Sequence, residues 1–459
     1  MHVADPGSFR DPASHIVLDG DRVIRLLDER GLKAWEALSR TSFFSQATAD
    51  GRLIGADPLD SAPTGCAGAL EHPRIPFISY PYEWTFSMLK DAALLQLDLL
   101  VEALSEGLTI KDATPYNIQF VSGRPVFIDI GSFEAYSPGE AWIGYRQFTR
   151  QFLFPLLLRA QLGIPFQPWL RGDPEGPTAA EMRSLMGFWQ RLKPSILLHV
   201  SLQARMEQRM SGTAVRDQLR TAGFSAELIL ANARKLRRLV EGLQWSGSGN
   251  GWIEYESCQH VGRDREAKSE FLRNAISAHS PRRVMDLGAN DGHFSTLAAE
   301  SGAVAIAVDG DEPVLDALYR KGSQVSIVVS DLTNPSPSQG WAGKERPGLT
   351  ERAQPDLVIA YGLIHHLIYT ASIPPPAVLD WLAGFGCPAV VEFVAPGDEM
   401  VAKLTANKTE AELHPGRSQS EFESELARRF ETLDTRTLGD GTRVLYRLRP
   451  GIETGSATA

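Results

Sequence analysis

RVMDLGANDGHFS, residues 283–295, decides how the second half of this chain is read. A short apolar run, Arg283–Leu287, ends in a glycine-containing turn that leads into a helical pattern, so the stretch predicts strand, tight turn and helix. Asp286 falls at the carboxyl edge of the strand, and Gly288 and Gly292 fall in the turn. Glycine there lets backbone approach a ligand closely, and a helix N-terminus offers unpaired N–H groups. In open α/β sheets that edge is where ligands bind.

Working outward, β-branched runs alternate with helical stretches, which predicts a parallel sheet with helices on both faces. The expected strands are Arg283–Leu287, Val304–Val308, Val325–Val329, Leu357–Ala360 and Ala389–Val394. Glu431–Thr437 and Arg443–Leu448, joined through Gly439, Asp440 and Gly441, read as a closing antiparallel hairpin. The fold class is therefore α/β over residues 252–450. The polar, Pro/Gly-rich stretch around Asn334 to Gly348 reads as a flexible surface loop.

Acids recur at successive strand ends. Asp309 in AVDGD is placed to accept from both hydroxyls of a ribose, and Asp331 in SDLT to accept from an adenine amino group. A dinucleotide site requires G-x-G-x-x-G, which Gly288-Ala289-Asn290-Asp291-Gly292 does not match. Asp286 would also repel a pyrophosphate, whereas it favours the amino group of an amino-acid cofactor. On these residues the segment resembles the class I S-adenosylmethionine-dependent methyltransferases, with a seven-stranded Rossmann-like sheet. The resemblance implies that Asp286, Gly288 and Asn290 hold the methionine moiety, Asp309 the ribose, and Asp331 with Leu332 the adenine. Asn290 stands where many members have glycine, and asparagine tolerates the left-handed geometry such a turn needs.

DLVIAYGLIHHL, Asp356 to Leu367, forms the fourth strand edge. Ala360 is expected to line the cofactor. His365 and His366 are candidates for proton abstraction or acceptor positioning, because imidazole titrates near neutral pH, although a packed helix histidine reads the same way. Glu392 and Asp398 in VVEFVAPGDEM could meet a polar acceptor, or Asp398 with Glu399 could simply open a helix. Methyl transfer from a sulfonium relies mainly on alignment, so no single base is required.

The first half carries a second constellation, KDATPYNIQFVSGRPVFIDIGS, beginning at Lys111. Asp112, Asn117 and Asp129 in D-x-G have the spacing of a catalytic loop and metal turn, and the segment resembles the protein-kinase and aminoglycoside-phosphotransferase-like fold. That resemblance implies Asp112 as the catalytic residue, with Asn117 and Asp129 as magnesium ligands for Mg-ATP. No glycine-rich phosphate loop with a following V-A-I-K lysine precedes it, so activity at this site stays open. Ser87–Leu104 reads as the helix before such a loop. On PYEWTFSMLKDAALLQLDLL, KDATPYN and VFIDIGSFE, most of the chain also resembles the NoeA-like nodulation methyltransferase group.

The expected organisation is an α+β kinase-like domain over 1–177, a helical segment over 178–245, a linker at 246–251, the methyltransferase domain over 252–450, and a disordered tail at 451–459. At 459 residues, two to three domains are expected, at roughly 100–200 residues each. A net charge of -10 argues against nucleic acid and favours a small molecule, a glycan-like acceptor or, through the first half, a protein partner. Cys66, Cys258 and Cys387 form no CxxC pair, which fits a reducing compartment, and no apolar segment reads as a signal or membrane span. The expectation is a cytoplasmic enzyme that methylates an oxygen or nitrogen atom. The alternatives are a protein that also phosphorylates its acceptor, or one whose first half only recruits a protein substrate.

Overall fold

The structure, a computed structural model, describes residues 3–191, 193, 196–204, 225–245, 259–439 and 441–451. The linker at 246–251, Cys258, Asp440 and the tail beyond 451 lie outside the described residues. The chain forms two compact units, one from Met1–Gly247 with Ser338–Pro347, the other from Ser248–Pro337 with Gly348–Ala459.

The first unit opens with an antiparallel sheet of β1 (Val3–Ala4), β2 (Ser14–Asp19), β3 (Arg22–Leu27), β4 (Asp57–Pro58) and β5 (Gly68–His72), in the order β1-β2-β3-β5-β4. Helices α1 (Glu29–Ser39) and α2 (Ser42–Ala49) start where Asp28 and Thr41 accept from backbone N–H groups. Helix α3 (Phe86–Ser105) begins at the Thr85 cap. Leu89, Ala92, Ala93, Leu97, Leu99 and Leu100 on it are wholly buried, so the helix is the axis of this unit's core.

After α3 come β6 (Leu108–Ile110), the hairpin of β7 (Ile118–Val121) and β8 (Arg124–Phe127), and β9 (Phe133–Ala135), which pairs back onto β6. Ser122 and Gly123, both at positive φ, make the hairpin turn. Closure of β6 on β9 returns the Asp129 turn to the KDATPYN loop. The helix Ala226–Glu241 packs along α3, with Arg237 bonded to Asp98 at 2.6 Å and the Lys90 ammonium donating to the carbonyls of Glu241 and Leu243.

The stretch read as a flexible loop is corrected in its central part. Residues 338–347 belong to the first unit, where Gln339 and Arg346 form a bridge and Glu345 is buried. The Glu345 carboxylate accepts a bidentate pair from Arg10 at 2.9 and 2.8 Å and the Trp341 N–H at 3.0 Å. The Arg346 guanidinium lies 4.1 Å from the centre of the Tyr116 ring.

The second unit is a seven-stranded sheet of β10 (Arg283–Leu287), β11 (Val304–Asp309), β12 (Ser326–Val329), β13 (Leu357–Ala360), β14 (Ala389–Val394), β15 (Phe430–Leu438) and β16 (Arg443–Pro450). Its order is β12-β11-β10-β13-β14-β16-β15, parallel except that β16 runs antiparallel to both neighbours. The strand order reverses across β10, and in open α/β sheets ligands bind at the carboxyl ends of the strands at such a switch point, here β10 and β13. Among the described residues no helix is long and apolar enough to cross a membrane.

Arg10 and hydrogen bonding hold the Glu345 carboxyl down at about 2. A depressed acid contributes stability above its unfolded pKa and loses it as pH falls through the folded value. Glu345→Gln is expected to lower stability at neutral pH by on the order of 1 kcal/mol, discounted because Arg10 is largely exposed. It should also flatten the decline in thermal stability on acidification from about pH 4.5 toward about pH 2. An unchanged acid profile would show that this pair does not hold the segment.

Candidate functional site

Asp286 lies on the central strand, opposite Ala307 of β11 and Ile359 of β13, and is 1% exposed. Its Oδ2 accepts from the Ser295 hydroxyl at 2.5 Å. Burial pushes its carboxyl up to about 7, opposed by the Ser295 hydrogen bond and reinforced by the charge of Asp309. The turn that follows is tied to β11, since the N–H groups of Gly288 and Ala289 both donate to the Val308 carbonyl. Asn290 has φ +47°, the left-handed conformation its side chain tolerates, and its N–H donates to Asp309 Oδ2 at 2.8 Å. At Gly292, φ is +74° and an added Cβ would lie 2.4 Å from Leu318 Cδ2. Sequence alone did not show that steric need, because Leu318 comes from the helix Glu312–Arg320.

Asp309 ends β11. Its Oδ1 accepts from the Asp311 N–H at 2.9 Å, and burial raises its carboxyl against these backbone hydrogen bonds. With the Gly310 N–H also donating to it, the carboxylate keeps capacity for about one further donor. Asp331 is exposed, and its Oδ1 closes a turn by accepting from the Thr333 N–H at 2.8 Å and hydroxyl at 2.7 Å. Leu332 beside it is half-buried, and Ala360, at the end of β13, is wholly buried. The β10 and β11 ends thus present two acids joined through one glycine-flanked turn. This donor and acceptor set fits a cationic amino-acid arm next to a ribose.

The adjoining edge of β13 and β14 is built on Glu392, which has no exposed surface. Its Oε2 takes the Lys268 ammonium at 2.8 Å and the Gly362 N–H at 2.8 Å, while Arg443 approaches Oε1 at 3.4 Å. Glu392 is thereby occupied holding Gly362, at φ +62°, in place. Asp398 caps the helix Glu399–Thr405 through the Met400 N–H and takes two hydrogen bonds from Arg443 at 2.8 and 3.0 Å. Lys268 comes from the long helix Gln259–His279, whose Tyr361 contact runs from the phenol to the Lys268 carbonyl at 3.3 Å. Neither Lys268 nor Arg443 was visible in the sequence as a site residue, since each is an ordinary basic residue in a polar stretch.

His365 is 1% exposed, and among the described residues neither ring nitrogen has a hydrogen-bond partner. Burial holds its pKa well below the usual imidazole value, and burial with the charge of Arg443 brings His366 to about 4. The two rings lie 4.3 Å apart, and both are neutral at pH 7. His365 lines a narrow recess with room for about one water molecule, together with Ile364, Ile368, Tyr369, Phe393 and Arg417. In the first unit, Asn117 Nδ2 lies 3.4 Å from Asp129 Oδ2, and the negative charge of Asp129 adds to burial in raising the Asp112 carboxyl.

Gly292→Ala is expected to cost about 2 kcal/mol, from overpacking against Leu318 together with the positive φ. Leu318→Ala in the same chain should relieve only the steric share, as read by denaturant melts. Lys268→Met leaves Glu392 buried with Arg443 as its remaining cation and should cost about 3 kcal/mol. Adding Glu392→Gln should restore part of that loss; strictly additive losses would show that the two side chains are not coupled.

No family model matches the chain. Nodulation protein NoeA of Rhizobium meliloti (strain 1021) is 33% identical over 456 residues, covering 96% of this chain and 94% of that protein. Among solved structures, the PH0226 protein of Pyrococcus horikoshii OT3 is 16% identical over 44% of this chain and 100% of its own, at a TM-score of 0.31. The N-methyltransferase NodS of Bradyrhizobium japonicum WM9, in complex with S-adenosyl-L-homocysteine, is 13% identical over 41% of this chain and 87% of its own, at a TM-score of 0.30. The second unit has the strand order and antiparallel closing strand of the class I methyltransferase fold, and with the identity to NoeA running along nearly its whole length, the chain belongs to the NoeA family.

Proposed function

We propose that this chain binds S-adenosylmethionine along the ends of β10 to β13 and methylates an oxygen or nitrogen atom of a small-molecule or glycan-like acceptor. The observation that carries this reading is the pairing of Asp286 and Asp309 at adjacent strand ends, joined by the left-handed Asn290 turn. The cofactor would supply a methyl group already activated on a sulfonium. The residues of the chain have to orient the two partners and keep water out.

In this reading Asp286 meets the ammonium of the amino-acid arm, and Gly288 and Asn290 bring backbone against it. Asp309 accepts from the ribose hydroxyls, Asp331 and Leu332 flank the base, and Ala360 borders the methyl-transfer side. The neutral His365 ring, at a narrow recess by the ends of β13 and β14, is suited to position an acceptor by taking a hydrogen bond from its O–H or N–H, since burial makes it too weak a base to carry the proton away. His366 lies against it with its ring tilted by 40°. Glu392 acts as a positioning group through Gly362, with its charge already met by Lys268.

Asp286 gives this reading its pH signature. Its carboxyl is raised from 3.8 to about 7, so the stability it contributes is present below the lower value and is lost as pH rises through about 7. Binding of a cation has the opposite sign, because the ionised form is the one that attracts it. Calorimetric affinity for S-adenosylmethionine is expected to rise between about pH 6 and about pH 7.5, below the range where an α-amino group deprotonates. Asp286→Asn should weaken binding at least tenfold, as one lost pair worth about 1.4 kcal/mol would, and remove the slope. A folded Asp286→Asn protein with unchanged affinity would falsify the assignment.

A further inference from the structure

The resemblance read in the first half implies a magnesium ion at Asn117 and Asp129, and the residues there do not fit one. Asp129 Oδ1 accepts from the Arg25 guanidinium at 2.8 Å and from the Gly131 N–H at 3.2 Å. Its Oδ2 accepts from the Ser132 hydroxyl at 2.6 Å and from the Asn117 amide at 3.4 Å, and the same amide donates to Ser132 Oγ at 3.1 Å. Asn117 therefore turns its nitrogen toward the acid, where a metal ligand would turn its oxygen. Among the described residues, no group of three or more His, Cys, Asp and Glu side chains could hold a metal ion.

Arg25 is built into this position. It is 6% exposed and reaches from β3. Its Nε donates to His72 Nε2 at 3.2 Å, one terminal nitrogen donates to Ser14 Oγ at 3.1 Å, and the other approaches the Ile128 carbonyl at 3.4 Å. Because His72 Nε2 accepts, Nδ1 carries the proton and donates to the Gly55 carbonyl at 2.8 Å, which fixes the neutral tautomer. Gly131 makes room for this arrangement, since an added Cβ would sit 3.0 Å from the guanidinium and 3.1 Å from Ser14 Oγ.

We infer that Arg25 is a tethered substitute for a divalent cation, so that the first unit is a metal-independent module rather than a site of magnesium-dependent phosphoryl transfer. A divalent ion entering beside Asp129 would meet a fixed positive charge already bonded to the same carboxylate. The guanidinium cannot deprotonate to make way for it.

Manganese alone serves as the probe, titrated into the full chain with its bound fraction read by electron paramagnetic resonance. The wild type is expected to show no saturable binding at roughly millimolar metal. Arg25→Met should acquire a site that binds at least tenfold more tightly, and adding Asp129→Asn to it should abolish that site. Saturable binding by the wild type that Asp129→Asn removes would overturn the inference. So would a folded Arg25→Met chain that gains no site. Should Arg25→Met fail to fold, the comparison of wild type with Asp129→Asn decides: equal absence of binding supports the tethered cation, and a difference refutes it.

Discussion

A carboxylate held partly or wholly out of water must be met by a cation or by several donors, and one such acid in each unit shows how. Glu392, with no exposed surface, is met by Lys268, Arg443 and the Gly362 N–H. Asp129 is met by Arg25, Gly131, Ser132 and Asn117. In each case the cation arrives on an element distant in sequence, so the ion pair also fixes which elements pack together. Such pairs contribute little net stability over an apolar core of the same shape, but breaking one leaves an uncompensated buried charge. Their yield is geometry: Glu392 fixes the turn at Gly362, and Arg25 fixes the D-x-G turn to the first sheet.

Asp286 contrasts with both. Ser295 donates to it from its hydroxyl and its backbone, a second acid lies beside it, and among the described residues no cation is paired with it. In the proposed reading, that imbalance is what makes it responsive to a positively charged ligand.

The sheet was legible because its signals are local. Each expected strand of the second half appears within a few residues of its predicted bounds, and the hairpin closes where Gly439 and Gly441 allow it. Helix α3 and the turn at Asn290 were likewise written in short-range pattern. What escaped were choices of partner between remote segments. Lys268 and Arg25 sit in stretches whose composition would read the same if they faced solvent. Glu345 lies in a Pro/Gly-rich run that resembles any surface loop, and it becomes buried through Arg10, 335 positions away in the chain. Leu318 dictates the glycine at 292, yet nothing near residue 292 announces it. For Glu392 and Asp398 the residues were singled out, but burial and Arg443 give them holding roles that exposure alone could have denied.

The excursion of residues 338–347 bears on where this chain can be divided. The polypeptide passes from one unit to the other at residue 247, again at 337 and once more at 347. A gene fragment exchanged at the first of these junctions would carry the ten-residue segment away from Arg10 and Tyr116, and would leave its former seat bare. A cut at residue 247 alone therefore does not part the two units, because one piece of the first is encoded within the second.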